Sequence, residues 1–463
     1  MRQTIRLLRD LRAAKKEGSS ALERRRSRRL AAAVAHARAH SPYYRELYRG
    51  LPWHVDDITM LPVTDKKRLM ARFDDWVTDP EVTHDRVRAF IDDPFLVGTD
   101  FLGKYRVGTT SGSTGVRGIF VYDKAASAVT RALALRAFGA WLPPAEAAAV
   151  ALRGGRVAWV LATGGHFGSS TVLPRSAARS VGEGGLLRVF SVFTPMPELV
   201  EQLNRFRPNV LIGYAGQLAL LAREQEAGRL RIRPRLVVLA AEGLTDSGYQ
   251  RIRQVFRARI GNGYGACEFM STAIGCPEDW LHVNSDWGFL EPVDTDYRPV
   301  PPGERSHTVL VTNLANRVQP VLRYDLGDSV VTRPDPCPCG NPFPAIRAQG
   351  RASEALTFQG GNGEAVEVAP IALAGVVDRA PGLELAQVVQ TGPAALSVRV
   401  RAAQQADPEK VWQAIREEIH RFMRSYDLEH VAVARATDPP EQSAGGKYRL
   451  IIPFDGTPAA NHT

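Results

Sequence analysis

Residues 108–118 read GTTSGSTGVRG, a run of glycines and hydroxyl side chains suited to holding phosphate. Glycine lets backbone N–H groups close on an anion, and Thr109, Thr110, Ser111, Ser113 and Thr114 add hydroxyl donors. A Walker loop would end in a lysine followed by Ser or Thr. Arg117 and Gly118 stand there instead, which argues against a P-loop ATPase. Taken alone, the same residues also suit a plain Gly/Ser turn.

A second group points to a metal. Cys276 and His282 lie close together, and Cys337 and Cys339 form a CPCG knuckle whose Gly340 allows a tight turn. Three thiols and one imidazole make a tetrahedral zinc set, and four protein ligands leave no open position, so the site reads as structural. The alternative is four residues that merely pack near one another. Cys267 is the remaining cysteine, and four in all are too few for a disulfide scaffold in a chain this long.

The chain has 463 residues, enough for roughly two to four domains or subdomains. Its 44% hydrophobic and 23% charged content fits a soluble globular protein. Charges interrupt the apolar runs of MRQTIRLLRDLRAAKK, and no run of about 18 apolar residues occurs, so neither a signal peptide nor a membrane span is expected and the location reads as cytoplasmic. The net charge is +10, with a cluster at Arg24, Arg25, Arg26, Arg28 and Arg29. No aromatic residues interleave with the cluster, so it reads as a solvated helix face and not as a nucleic-acid surface.

The elements that must position these groups follow from periodicity. Residues 20–40 read as an amphipathic helix that ends before Pro42, and Thr64 is a plausible N-cap for the next. From 156 onward, strands (157–162, 186–193, 209–214, 236–242) alternate with helices (197–206, 216–228, 247–256), the pattern of parallel βαβ units. Beyond 280, short β-like runs such as 307–314 and 321–331 predict a smaller β-rich subdomain. After about 350 a new pattern begins: a helix at 370–379, two strands, the helix PEKVWQAIREEIHRFMRS and a glycine-flanked lysine, Lys447. The expected fold is α/β, with a large N-terminal domain (1–350) and a small, mobile α+β C-terminal domain (351–463).

The glycine loop has companions: YGACE at 264–268, RYDLGD at 323–328, QGR at 349–351 and GGK at 445–447. In that order and at those intervals, the set resembles the adenylate-forming superfamily of acyl-CoA synthetases, adenylation domains and luciferases. HSPYYRELY, LPVTDKKRL, PNVLIGY and CPCG look like its phenylacetate–CoA ligase-like branch, in which several proteins carry zinc at the equivalent cysteines. The resemblance spans most of the chain. It implies activation of a carboxylic acid with ATP, giving an acyl-adenylate and pyrophosphate.

The same resemblance implies residue roles. The loop Thr110, Ser111, Gly112, Ser113, Thr114 and Gly115 would hold the β- and γ-phosphates. Glu268 would support Mg²⁺, a hard cation that prefers oxygen. Tyr264, with Gly265, would flank the adenine or the acyl group, and Ala241, Glu242 and Gly243 would line the adenine pocket. Asp328 matches the ribose ligand, and Arg351 lies near ribose or phosphate. Lys447 would meet the α-phosphate as negative charge builds there. Two departures stand out: Cys267 replaces the family's Thr or Ser, and Arg117 and Gly118 replace the proline and lysine after the loop.

His166, Phe167 and Tyr214 are the expected linings of the acid pocket, and the two aromatic rings suit an aromatic acid. His166 either polarises the acid or sits in the core. Coenzyme A is the expected acceptor, reached after the C-terminal domain rotates about Gly350, Gly360 and Gly361. The expected partners are small molecules, with the chain a monomer or homodimer. Two alternatives remain open: an ATP-dependent diazotase that activates nitrite toward an arylamine in secondary metabolism, and a nucleotide-binding scaffold without turnover.

Overall fold

A computed structural model describes residues 2–110, 118–163, 165–166, 168, 185–240, 243–244, 246–351, 356–361, 364–368, 370–377, 380–441 and 449–454. The chain opens with helices α1 (Arg2–Lys16) and α2 (Ser19–His40). Helix α2 stops where Pro42 requires it to: Ser41 is extended, and its hydroxyl accepts the Tyr44 N–H at the head of α3 (Pro42–Leu47).

The arginine cluster of α2 is only partly a solvated face. Arg24 and Arg28 are exposed. Arg25 and Arg29 pair with Asp10 of α1, Arg26 lies over the Phe289 ring at 4.4 Å, and Arg29 lies over the Trp287 ring at 3.7 Å. Guanidinium planes stack on aromatic faces while their stems cover apolar surface, so three of these arginines hold α2 down. Their aromatic partners lie far away in sequence, which hid this from a reading of the cluster alone.

Thr64 is not the expected cap. Asp65 accepts the Arg68 N–H at 2.9 Å and caps α4 (Lys66–Ala71). Thr64 is buried, bridges to Tyr324 and donates its hydroxyl to Leu322 O at 3.0 Å. The short helices α5 (Phe73–Trp76) and α6 (His84–Asp92) follow. Then comes the antiparallel hairpin β1 (Arg106–Thr109) and β2 (Ile119–Tyr122), and helices α7 (Lys124–Trp141) and α8 (Pro144–Leu152).

The expected βαβ alternation is present in β3 (Val157–Leu161), β4 (Leu187–Ser191), α9 (Met196–Phe206), β5 (Val210–Tyr214), α10 (Ala215–Glu226), β6 (Leu236–Ala240), α11 (Asp246–Phe256) and β7 (Arg259–Ala266). Strands β4, β3, β5, β6 and β7 lie side by side and parallel, which their nearly continuous apolar runs dictate. The chain then turns antiparallel through β8 (Phe269–Gly275) and β9 (Leu281–Val283).

Strands β10 (Gly288–Val293), β11 (Thr308–Asn313) and β12 (Val321–Asp325) form a separate three-stranded sheet. Strands β13 (Asp328–Thr332) and β14 (Ala345–Arg351) do not join it. They return to the large sheet, whose order is β13-β14-β9-β8-β7-β6-β5-β3-β4. The run expected as one strand, 321–331, therefore crosses between two sheets at Leu326 and Gly327, and Gly327 supplies the positive φ of 76° that the crossing requires.

The last elements are β15 (Leu356–Gln359), β16 (Ala365–Val368), α12 (Pro370–Val377), β17 (Leu383–Gly392), β18 (Ala395–Ala402), α13 (Pro408–Arg424), β19 (Ala432–Arg435) and β20 (Ile451–Ile452). One apolar cluster draws on residues of 356–451 alone, including Trp412, Ile415 and Ile419 of α13. Gly360 and Gly361 sit in the turn between the paired strands β15 and β16, where the Gly360 N–H meets Glu364 O at 2.7 Å. A hairpin turn inside one packed unit cannot serve as a hinge between units, so that role falls away for both glycines. No helix among the described residues is long and apolar enough to cross a membrane.

Candidate active site and metal-ligand cluster

The glycine loop springs from the β1–β2 hairpin, with Thr109 opposite Ile119. Its neck is closed twice. The Thr110 N–H donates to Gly118 O at 3.0 Å, and the Gly118 N–H donates to Thr110 Oγ1 at 2.8 Å. Thr110 is thus partly a structural clasp, although its hydroxyl proton is still available to donate. A Cβ on Gly118 would lie 2.8 Å from the Phe120 ring, so the neck needs glycine there. Ser111, Gly112, Ser113, Thr114 and Gly115 lie outside the described residues.

The hairpin is docked at the carboxyl end of β3, where Thr109 N and Oγ1 both donate to His166 O at 2.8 and 3.0 Å. Open α/β sheets bind ligands at this end of their strands. The YGACE segment joins β7 to β8 and meets the same point. Gly265 is required there, because a Cβ would lie 2.1 Å from Met270 O. The Cys267 thiol donates to Thr109 O at 3.7 Å, and a Cβ on Gly168 would sit 2.4 Å from that sulfur. Cys267 therefore links the motif to the neck of the glycine loop.

Glu268 is 4% exposed. Asn313 Nδ2 donates to its backbone oxygen at 3.0 Å, and the Tyr122 hydroxyl donates to Cys267 O at 2.5 Å. Burial first, then the neighbouring Glu268 carboxylate, pushes the Tyr324 hydroxyl far above its usual range. Tyr324 thus stays protonated beside Glu268. The Tyr264 hydroxyl donates to Asp328 Oδ2 at 2.6 Å. Asp328 and Arg351 are direct cross-strand partners in the β13–β14 register, which brings two distant motifs together; the Arg351 side chain lies outside the described residues.

His166 is 4% exposed, and its ring packs against the core residue Phe90 at 4.7 Å between centres. Tyr214, at the end of β5, is buried and its hydroxyl oxygen accepts the Ala162 N–H at 3.4 Å. Gly243 follows β6 and is exposed. Phe167, Ala241, Glu242 and Lys447 lie outside the described residues. The ends of the segment that carries Lys447 are described, however. Gln387 of β17, 1% exposed, donates through Nε2 to Glu441 O at 3.1 Å and to Arg449 O at 2.9 Å. One buried amide thus holds the two described residues that flank the segment carrying Lys447, and Arg399 Nη1 donates to Gln387 Oε1 at 2.7 Å.

Asn313, Tyr324 and Gln387 were missed by motif reading. Tyr324 had a signal, since it belongs to RYDLGD. A glutamine in a strand has none, because its partners are set by how the strand's neighbours return. Gln387→Leu is expected to deprive Glu441 O and Arg449 O of their shared donor and to destabilise the chain by about 1–3 kcal/mol. A thermal melt checks this, and an unchanged melting temperature contradicts it.

The ligand atoms of Cys276, His282, Cys337 and Cys339 all lie within 4.8 Å of one another. The Cys276 and Cys337 sulfurs are 3.8 Å apart. Two thiolates on a tetrahedral zinc at 2.3 Å would be separated by about 3.8 Å. His282 Nδ1 lies 2.8 Å from Phe343 O, which directs Nε2 toward Cys339 Sγ at 3.1 Å. A backbone carbonyl holding the other ring nitrogen is the usual support for a ligating histidine. Burial lowers the His282 pKa, so the ring is neutral, as a ligand must be. Backbone register builds the cluster: His282 of β9 is opposite Ala345 of β14, and the CPCG knuckle precedes β14.

No family model and no curated protein matches the sequence. Solved structures do. The chain aligns with 2-hydroxyisobutyryl-CoA ligase in the postadenylation state, in complex with R3-HIB-AMP, over 96% of its own length and 92% of that chain, at 20% identity and a TM-score of 0.71. Against the same enzyme in complex with 2-HIB-AMP and CoA in the thioesterification state, the TM-score is 0.57 at 19% identity, covering 95% and 91%. An anthranilate CoA ligase in complex with anthranoyl-AMP aligns over 74% of this chain and 65% of its own, at 16% identity and a TM-score of 0.50. The chain has the fold of the adenylate-forming acyl-CoA ligases.

Proposed function

We propose that this chain activates a carboxylic acid with ATP and transfers the acyl group to coenzyme A. The observation that carries this reading is the convergence of the glycine-loop neck, Glu268 and the Tyr264–Asp328 pair at the carboxyl end of the parallel sheet. A carboxylate oxygen of the acid attacks the α-phosphorus of ATP, the α–β anhydride bond breaks and pyrophosphate leaves. The thiolate of coenzyme A then attacks the acyl carbon and AMP departs.

Each residue has a task in this reading. The glycine loop grips the β- and γ-phosphates that become the leaving group. Asp328 accepts from the ribose hydroxyls, oriented by Tyr264. Lys447 stabilises charge at the α-phosphate. Glu268, a buried oxygen donor, would hold Mg²⁺, which when bound neutralises phosphate charge. Cys276, His282, Cys337 and Cys339 would hold a structural zinc with no role in the reaction. Residues 1–350 would form the adenylation domain and 351–463 the small mobile domain. Phe167 and Tyr214 favour an aromatic acid.

Mass spectrometry of products formed with ATP, Mg²⁺, coenzyme A and a panel of aromatic and aliphatic acids tests this. Acyl-AMP without coenzyme A and an acyl thioester with it are expected. Products formed only from nitrite and an arylamine would replace this reading with diazotisation. Asp328→Ala is expected to raise the KM for ATP roughly 10- to 100-fold, the worth of hydrogen bonds to a charged group. An unchanged KM would remove Asp328 from the ribose site.

A further inference from the structure

The β1–β2 hairpin that carries the glycine loop is a sheet of two strands, and all four residues of β2 are buried. Two strands alone are marginal, and a buried edge must find partners for its backbone groups. Among the described residues no third strand supplies them. Side chains do. Gln319 Oε1 accepts the Val121 N–H at 2.7 Å, and Gln319 Nε2 donates to Ile119 O at 3.1 Å. Asn316 Nδ2 donates to Val121 O at 2.8 Å. One amide thus meets β2 at alternate residues, as the peptide groups of a neighbouring strand would.

The amide is specific and its base is fixed. Gln319 and Asn316 are buried. A carboxylate at 319 would set an oxygen against Ile119 O, whereas an amide offers the donor and the acceptor that β2 requires. The next residue, Pro320, accepts the Tyr44 hydroxyl at 3.0 Å and the Trp76 Nε1–H at 2.6 Å through its oxygen, and both rings are fully buried. Asn316 Nδ2 also donates to Gln319 O at 3.1 Å. The run that carries these side chains leaves β11 at Asn313, whose Nδ2 donates to Glu268 O at 3.0 Å. At its other end, Gln319 holds Ile119, which adjoins Gly118 at the neck that closes on Thr110. One short connection between β11 and β12 therefore grips both the glycine-loop neck and the Glu268 backbone.

We propose that Gln319 is a positioning residue, which fixes the neck of the glycine loop in register with Glu268 and so sets where the phosphates of ATP lie. Its effect on ATP rests on the adenylation reading, and its hold on the neck does not.

The test is Gln319→Met, which keeps the side-chain length and loses the donor and the acceptor. Hydrogen–deuterium exchange in the full chain, resolved to single amides by fragmentation, reads the neck without any substrate. The Val121 and Thr110 N–H groups are expected to exchange at least about tenfold faster in the variant, while the amides of α13 keep their native rates. Unchanged exchange at Thr110 overturns the proposal, even where Val121 alone speeds up. In ATP–pyrophosphate exchange the KM for ATP is expected to rise roughly tenfold, with the KM for the acid within about twofold of native. A lower rate with both KM values unchanged marks a merely structural role and also overturns it. A native chain that exchanges no pyrophosphate removes the adenylation reading and leaves the amide rates to decide. If Gln319→Met does not fold, Asn316→Ala, which removes the bond to Val121 O, is expected to speed Thr110 exchange at least about threefold, and an unchanged rate overturns the proposal.

Discussion

Replacing Lys447 with alanine is expected to slow adenylation by about 10²- to 10³-fold, the loss typical of one preorganised charge at a developing oxyanion. ATP binding should persist, because the glycine loop and Asp328 belong to the other part of the chain. Gln387 holds Glu441 and Arg449, the described residues that flank the segment carrying Lys447. Removal of the ammonium leaves those two contacts intact. The rate of pyrophosphate release in a single turnover, with ATP affinity measured in parallel, checks this. Equal loss of both would make Lys447 a binding residue, and loss of neither would remove it from the site.

The second large effect concerns the Cys₃His cluster. The purified chain is expected to hold about one zinc, as a closed four-ligand site does. Its removal should destabilise the part of the large sheet where β9 meets β14. Binding of structural zinc is worth on the order of 10 kcal/mol in small domains. In the metal-free chain, burial pushes the Cys276 thiol up to about 12, so without a metal this position holds a neutral thiol. Stripping the metal with a chelator, or replacing His282 with alanine, should lower the melting temperature by about 10 °C or more. Metal analysis that finds less than about one zinc per four chains would show that the four side chains only pack together.

The sequence revealed the parts of the site that are local. YGACE, RYDLGD and QGR each carry their own residues, and the βαβ alternation follows from apolar runs of strand and helix length. It was silent where a contact joins distant segments. Asp328 and Arg351 become cross-strand partners only because the chain leaves the small sheet after β12 and pairs β13 with β14 in the large one. Thr64 looked like a cap because nothing local says that Tyr324 will lie beside it. Arg26 and Arg29 looked solvated because Phe289 and Trp287 are more than 250 residues away. Gly360 and Gly361 looked like a hinge because a glycine pair marks either a hinge or a hairpin turn, and strand pairing decides which.

The central claim is that this fold activates a carboxylate at the α-phosphate of ATP. ATP–pyrophosphate exchange tests it most directly, since it reports formation and reversal of the adenylate without any acceptor. We predict exchange that depends on an aromatic carboxylic acid and collapses in Lys447→Ala. Exchange with no carboxylic acid of the panel, in a folded and zinc-loaded chain, would contradict the account.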